Sequence, residues 1–220
     1  MKIKCAIFDF DGTLFDSMYV WRTAGEKYVR SLGKEPKPFL WGYVKALSSL
    51  QAACFLKEEY ELELSVEEIM AGVDQTVERG YFYDVQPKPG VVRFLEEMKH
   101  AGVRMCVATA SERYQIEAAL RRCGIDHYFE AVFTCTEVGH GKDEPIIFRQ
   151  AMEFFGADRS NTIIFEDAVH AVETAKTDGF TVVAVYDEYE NEQEKIRELA
   201  DLYLEGFSDM EPFWAFISTD

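Results

Sequence analysis

Five short runs of apolar residues, separated by segments of helical period, constrain the fold of this chain more than any other feature. The runs cover residues 3–8, 103–108, 131–134, 162–165 and 181–185. Each has the length and composition of a buried β-strand. Helical spacing of apolar residues is found over residues 91–101, 113–123, 146–155 and 168–177. A glycine stands at or just after the end of each helical segment, as is typical of a helix C-terminus: Gly102, Gly124, Gly156 and Gly179. Strands that alternate with helices predict an α/β fold in which a parallel sheet lies between two layers of helices.

The stretch from about residue 16 to residue 83 breaks this alternation. It shows long amphipathic patterns over residues 18–32 and 42–60 and contains no convincing strand. Pro87 and Pro89 mark the return of the α/β pattern. We therefore predict a three-layer, Rossmann-like core made of residues 1–15 and 84–220, and an α-helical cap inserted as residues 16–83.

Composition and charge limit the partners of the protein. The chain has 220 residues, 48% of them hydrophobic, and a formal net charge of −17. This acidic balance argues against nucleic acid as a partner, because an acidic surface repels the phosphate backbone. An anionic substrate must therefore meet a locally positive pocket. The acidic run over residues 187–198 is interpreted as a solvated loop and helix face.

Composition and hydropathy also predict a cytoplasmic protein. No run approaches the roughly 20 apolar residues that span a bilayer, so no membrane partner is expected. The amino-terminal residues lack the pattern of a signal peptide. Five cysteines without CxxC spacing are typical of reduced thiols. The oligomeric state stays open, and a monomer is compatible with a core of this size.

The strongest chemical signal lies directly after the first apolar run, in the sequence FDFDGTL over residues 8–14. Asp9 and Asp11 stand two residues apart where a strand ends, and Gly12 and Thr13 follow at the point where the backbone must turn. A D-x-D pair alone is more typical of a solvated turn. Three further segments in the chain favour a catalytic interpretation.

Those segments, with the first, resemble the four motifs of the haloacid dehalogenase superfamily. IFDFDGTLFDS over residues 7–17 resembles the first motif, and VATAS over residues 107–111 resembles the second. The third and fourth are matched by GK at residues 141–142 and by IFED at residues 164–167. The four motifs occur in the expected order and span nearly the whole chain. Thr109, where many relatives carry serine, and the sequence KDEP after Gly141 are mild departures.

The resemblance implies a role for each motif residue. Asp9 would attack phosphorus and form an aspartyl-phosphate that water then hydrolyses. Asp11 would protonate the leaving oxygen and later activate that water. Lys142 would neutralise a phosphoryl oxygen and hold Asp9, and the hydroxyl of Thr109 would donate to another oxygen. The residues placed against the substrate in the core are Thr109, Ala110, Ser111 and Lys142.

The resemblance also implies Mg²⁺ as the cofactor. Its ligands would be Asp9, the main-chain carbonyl of Asp11, and one or both of Glu166 and Asp167. Asp167 is the expected direct ligand, and Glu166 is expected to bind directly or through water. The acid pair has a second interpretation as favourable residues at the N-terminus of the next helix. Both interpretations can hold together.

The insert resembles the helical cap of the subgroup that includes phosphoglycolate phosphatase and beta-phosphoglucomutase. Lys45 in this segment is either an exposed helix residue or a contact to a substrate anion, at a position where sugar-phosphate mutases carry arginine. The expected function is a phosphatase acting on a small phosphorylated metabolite, such as a sugar phosphate. A sugar phosphomutase is the alternative, and a non-catalytic binding protein is disfavoured because every catalytic position is present.

Overall fold

The fold is described from a computed structural model, which describes residues 3–44, 47 and 49–218. The chain divides into two compact units: Met1–Asp16 with Gln86–Asp220, here called the core unit, and Ser17–Val85, here called the helical insert.

The core unit is built on a six-stranded parallel sheet. Its strands are β1 (Cys5–Phe8), β4 (Arg104–Thr109), β5 (Ala131–Thr134), β6 (Thr162–Glu166), β7 (Thr181–Val185) and β8 (Leu202–Leu204), in the spatial order β5-β4-β1-β6-β7-β8. A separate antiparallel pair joins β2 (Phe15–Asp16) to β3 (Gln86–Pro87). Strand β1 is central, and Phe8 at its end is in register with Val107 of β4 and Phe165 of β6. Strand order reverses at β1, which is where ligands collect in open α/β sheets.

Helices cover both faces of this sheet, as the sequence predicts. They are α5 (Val91–His100), α6 (Arg113–Arg122), α7 (Cys135–Val138), α8 (Ile146–Phe154), α9 (Val169–Thr177), α10 (Gln193–Leu199) and α11 (Glu211–Ser218). Because alternate strand residues point to opposite faces, Ile7 packs with α8 and α9 in one apolar cluster. Phe8 lies on the other face, where its ring stacks on Phe165 with centroids 4.4 Å apart. Phe94 of α5 and Phe213 of α11 complete that second layer.

The helical insert has its own core. Its helices are α1 (Met18–Ser31), α2 (Leu40–Val44), α3 (Ser49–Glu59) and α4 (Val66–Arg79), followed by a π-helical turn over Gly80–Asp84. Helix α4 begins with a capping box, in which Ser65 and Glu68 satisfy each other's backbone N–H groups. Tyr28 of α1 lies so close to Gly72 of α4 that a side chain at Gly72 would overlap its ring. Buried apolar residues of α1, α2, α3 and α4 meet in one cluster.

The structure adds detail to the sequence expectations. The amphipathic pattern over residues 42–60 includes the end of α2 at Val44 and the whole of α3, which begins at Ser49. The three-residue strand β8 and the β2–β3 pair were not predicted, because each is too short to show a period of its own. No helix among the described residues has both the length and the apolar character needed to cross a membrane.

Candidate active site

The turn after β1 places the first motif at the carboxyl edge of the sheet. The backbone N–H of Asp9 donates to Phe165 O over 2.9 Å, which ties the end of β1 to β6. Gly12 has a φ of +83°, a conformation that glycine adopts without strain. A Cβ at Gly12 would overlap the carboxylate of Asp167, so this glycine also permits a close approach. Thr13 Oγ1 donates to Asp167 Oδ1 over 2.7 Å and orients that carboxylate.

Lys142 joins two of the acidic motif residues. It comes from the loop between α7 and α8 and is only 7% exposed. Its Nζ donates to Asp9 Oδ1 and, over 2.6 Å, to Glu166 Oε1. The other oxygen of Glu166 accepts the backbone N–H groups of Asp167 and Ala168, at 2.8 and 3.0 Å. Glu166 therefore holds Lys142 and the start of the loop before α9 at the same time.

Three buried carboxylates lie together at this edge. Asp9, Glu166 and Asp167 each offer an oxygen, and these oxygens lie within 4.8 Å of one another. Burial raises the pKa of Asp9 to about 8, against the lowering effect of the Lys142 charge. Burial, with the charges of Glu166 and Asp9, raises the pKa of Asp167 well above its usual range. Burial lowers the pKa of Lys142, but the charges of Asp9 and Glu166 raise it by more, so the ammonium stays protonated.

This donor set fits a hard divalent cation. Mg²⁺ prefers oxygen ligands and is usually held by only one or two protein carboxylates. One buried ammonium cannot balance three carboxylates, and a divalent ion would supply the missing positive charge. Both Glu166 oxygens already accept hydrogen bonds, which favours Asp9 and Asp167 as the direct ligands. The structure thus brings together Asp9, Glu166 and Asp167, three of the four residues of the expected metal site.

The second motif lies beside Asp11. Thr109 ends β4 and is fully buried, and its Oγ1 accepts the backbone N–H of Ser111 over 3.0 Å. Ser111 Oγ in turn donates to Asp11 Oδ2 over 2.6 Å. Ala110, between them, is exposed. All core residues expected at the site therefore gather at the ends of β1, β4 and β6, while Lys45 of the insert lies outside the described residues.

Two features of this edge were missed at the sequence level. Thr13 belongs to the first motif, but the sequence does not show that its hydroxyl contacts Asp167. Asp187 was counted in a solvated acidic run, but it is 4% exposed, and its carboxylate pairs with Lys88 over 2.9 Å. Lys88 also donates to Tyr186 O over 2.8 Å. The signal that could have found Asp187 is its place two residues after an apolar strand run, like the acids that follow β1 and β6.

Comparison with known proteins agrees with this geometry. A family model for haloacid dehalogenase-like hydrolases matches residues 3–179, and the chain therefore belongs to that family. It is a hydrolase of the haloacid dehalogenase-like type, as the four motifs predict.

Individual relatives share most of their length with this chain. A phosphorylated carbohydrates phosphatase of Thermotoga maritima is 26% identical over 177 residues, which cover 80% of this chain and 82% of that protein. A probable pseudouridine-5'-phosphatase of Drosophila melanogaster is 30% identical over 192 residues, covering 84% of this chain and 83% of that protein. The crystal structure of a putative beta-phosphoglucomutase from Thermotoga maritima matches with a TM-score of 0.85 at 23% identity, over 99% of this chain and 100% of that one. The last similarity concerns the fold alone.

Proposed function

We propose that this chain is a magnesium-dependent phosphatase that hydrolyses a small phosphorylated metabolite, such as a sugar phosphate, through a covalent intermediate on Asp9. One observation carries the proposal. The Asp9 carboxylate lies at the end of the central strand, paired with the buried Lys142 and within 4.8 Å of Glu166 and Asp167. Nucleophile, cation and metal-type ligands thus occupy one edge of the sheet.

In the first step the Asp9 carboxylate attacks phosphorus, and the bond from phosphorus to the leaving oxygen breaks. The electron pair of that bond stays on the leaving oxygen, which takes a proton from Asp11 and departs as an alcohol. In the second step water attacks the phosphorus of the aspartyl-phosphate, and Asp11 takes the proton of that water. The products are inorganic phosphate and the restored Asp9 carboxylate.

Two further residues serve the transferring phosphoryl group. Lys142 holds a positive charge against the developing charge on the phosphoryl oxygens, and its double ion pair fixes its position. Thr109 accepts a hydrogen bond from Ser111 N–H, so its own hydroxyl proton can turn toward a phosphoryl oxygen. These contacts are made with the phosphoryl group, whatever alcohol carries it.

We assign Mg²⁺ to Asp9, Asp167 and the main-chain carbonyl of Asp11, with Glu166 acting directly or through water. When bound, the ion would supply positive charge that offsets the charge of the phosphoryl oxygens. The protein's part is to hold the carboxylates close together, through Thr13 on Asp167 and Lys142 on Asp9 and Glu166.

The names of relatives support the substrate class. The Thermotoga maritima relative is described as a phosphatase of phosphorylated carbohydrates, and the Drosophila relative as a probable phosphatase of pseudouridine 5'-phosphate. Both names describe phosphomonoesters of small hydroxylated molecules. We assign the choice among such substrates to the helical insert, including Lys45. Phosphomutase activity is the alternative, since a fold neighbour is titled a putative beta-phosphoglucomutase.

The test is phosphate release from a panel of sugar phosphates, nucleotides and phosphoglycolate, measured with Mg²⁺ and with excess chelator. Wild type should release phosphate only with the metal, and Asp9→Asn should lose at least about 10³-fold in turnover because an amide is a poor nucleophile. Asp126→Asn makes the same change at an exposed residue of the core unit, and its turnover should match that of wild type. Substantial turnover by Asp9→Asn would contradict the nucleophile, and full activity in chelator would contradict the metal. Isomerised hexose phosphate forming much faster than free phosphate would identify a mutase.

A further inference from the structure

Ser111 contacts the carboxyl group that the proposed mechanism uses for proton transfer. The resemblance to the family placed Ser111 against the substrate. In the structure its hydroxyl donates to Asp11 Oδ2 over 2.6 Å. The distance is that of a strong O–H···O hydrogen bond to a carboxyl group.

The position of Ser111 is itself determined by the sheet. Thr109 is the last residue of β4, fully buried, and paired in register with Thr134 of β5. Its Oγ1 accepts the Ser111 N–H, which closes a tight side-chain turn at the end of the strand. Ser111 is 6% exposed, so its hydroxyl is held inside the edge of the sheet. The chain of contacts runs from a rigid strand through Thr109 and Ser111 to Asp11.

We infer that Ser111 is a positioning residue that orients the Asp11 carboxyl group for proton transfer to the leaving group. This inference rests on the proposed function, because it assigns Ser111 to the acid step of that reaction. By donating to Oδ2, the hydroxyl fixes the direction in which the carboxyl group points. The P–O bond breaks, its electron pair stays on the leaving oxygen, and the Asp11 proton passes to that oxygen. Asp11 is left as a carboxylate whose Oδ2 still accepts from Ser111.

Leaving-group basicity separates this role from direct phosphate binding. An alkoxide is a strong base and departs only as fast as it is protonated, whereas p-nitrophenolate departs without a proton. Loss of a group that orients the acid should therefore slow alkyl phosphates far more than p-nitrophenyl phosphate. Loss of a phosphate contact should slow both substrates equally, because they carry the same phosphoryl group.

The experiment compares wild type, Ser111→Ala and Ser111→Thr in the full chain with saturating Mg²⁺. Each is assayed on p-nitrophenyl phosphate and on the best sugar phosphate from the panel. We expect Ser111→Ala to lose roughly 30-fold in kcat/KM on the sugar phosphate and no more than about 3-fold on p-nitrophenyl phosphate, because kcat/KM reports only the steps up to departure of the leaving group. The larger loss is smaller than the roughly 10²- to 10⁴-fold that general acid catalysis contributes as a whole. Ser111→Thr keeps the hydroxyl and should recover most of the loss. Ser160→Ala makes the same change at an exposed residue of the core unit, and its rates on both substrates should match those of wild type.

Inhibition by inorganic phosphate and thermal melting complete the test. A positioning role leaves the inhibition constant for phosphate within about twofold of wild type and the melting temperature nearly unchanged. Equal losses on the two substrates, or weaker phosphate inhibition in proportion to the loss, would overturn the inference. Wild-type rates of Ser111→Ala on both substrates, or no recovery in a folded Ser111→Thr, would do the same. Absence of Asp9-dependent hydrolysis in wild type would instead reject the proposed function, and with it this role.

Discussion

A magnesium titration tests the charge balance of the acidic cluster most directly. With the pKa of Asp9 at about 8 in the metal-free protein, its carboxyl group is roughly 90% protonated at pH 7 and roughly 10% protonated at pH 9. A cation that binds the carboxylate must displace that proton. Binding of one Mg²⁺ should therefore release roughly 0.9 proton from Asp9 at pH 7 and roughly 0.1 at pH 9.

Isothermal titration calorimetry measures this release from the dependence of the binding heat on the ionisation enthalpy of the buffer. The pKa of Asp167 also lies well above the usual range, so Asp167 can only add to the proton release. The diagnostic quantity is thus a fall of at least roughly 0.8 proton per ion between pH 7 and pH 9, the part that Asp9 supplies. Asp126→Asn, outside the cluster, should show the same fall. Proton release that is absent, or that does not change over this range, would refute the assigned charge state.

The same shift predicts how stability depends on pH. An unfolded aspartate titrates near pH 3.9, whereas folded Asp9 titrates at about 8, so the folded state binds more protons between these values. The contribution of Asp9 to the stability of the metal-free protein should fall as pH rises from about 4 to about 8, because Asp9 favours the folded state only while it is protonated. The free energy of unfolding of wild type relative to Asp9→Asn measures this contribution. Added Mg²⁺ should raise the melting temperature more at pH 8 than at pH 5. A metal-free wild type that becomes more stable relative to Asp9→Asn over this interval would contradict the sign.

Two further predictions concern residues that support the site. Lys88→Met leaves the buried carboxylate of Asp187 without its ammonium partner and should cost about 3 kcal/mol of stability. This loss lowers the melting temperature by roughly 6 °C or more. A change below about 1 °C would show that the ion pair contributes little to stability. Thr13→Val removes the hydrogen bond to Asp167 while keeping the side-chain volume. It should raise the Mg²⁺ concentration for half-saturation by roughly 10-fold in calorimetry. Unchanged affinity would contradict a role of this hydrogen bond in orienting Asp167.

Much of the fold follows from local pattern. Apolar runs of strand length and glycines after helical segments are set by the chain within a few residues, so β1, β4, β5, β6 and β7 lie where the sequence predicts them. The gathering of Asp9, Thr109 and Asp167 follows from the same pattern, because parallel strands end at one edge of the sheet. The motif spacing adds the order of these residues along the chain.

Other features depend on contacts between distant parts of the chain, and only the tertiary structure decides them. Asp187 belongs to an acidic run in sequence, yet it is buried because Lys88, 99 residues earlier, supplies its counter-charge. Ser111 lies beside Asp11, 100 residues away, because β4 pairs with β1. The residues beside a hydroxyl or carboxylate in the sequence do not show which group it contacts. A hydrogen bond depends on distance and direction in space and not on separation along the chain. The sequence alone thus determined which residue types meet at the edge of the sheet, and the tertiary structure decided which atom of each one contacts which neighbour.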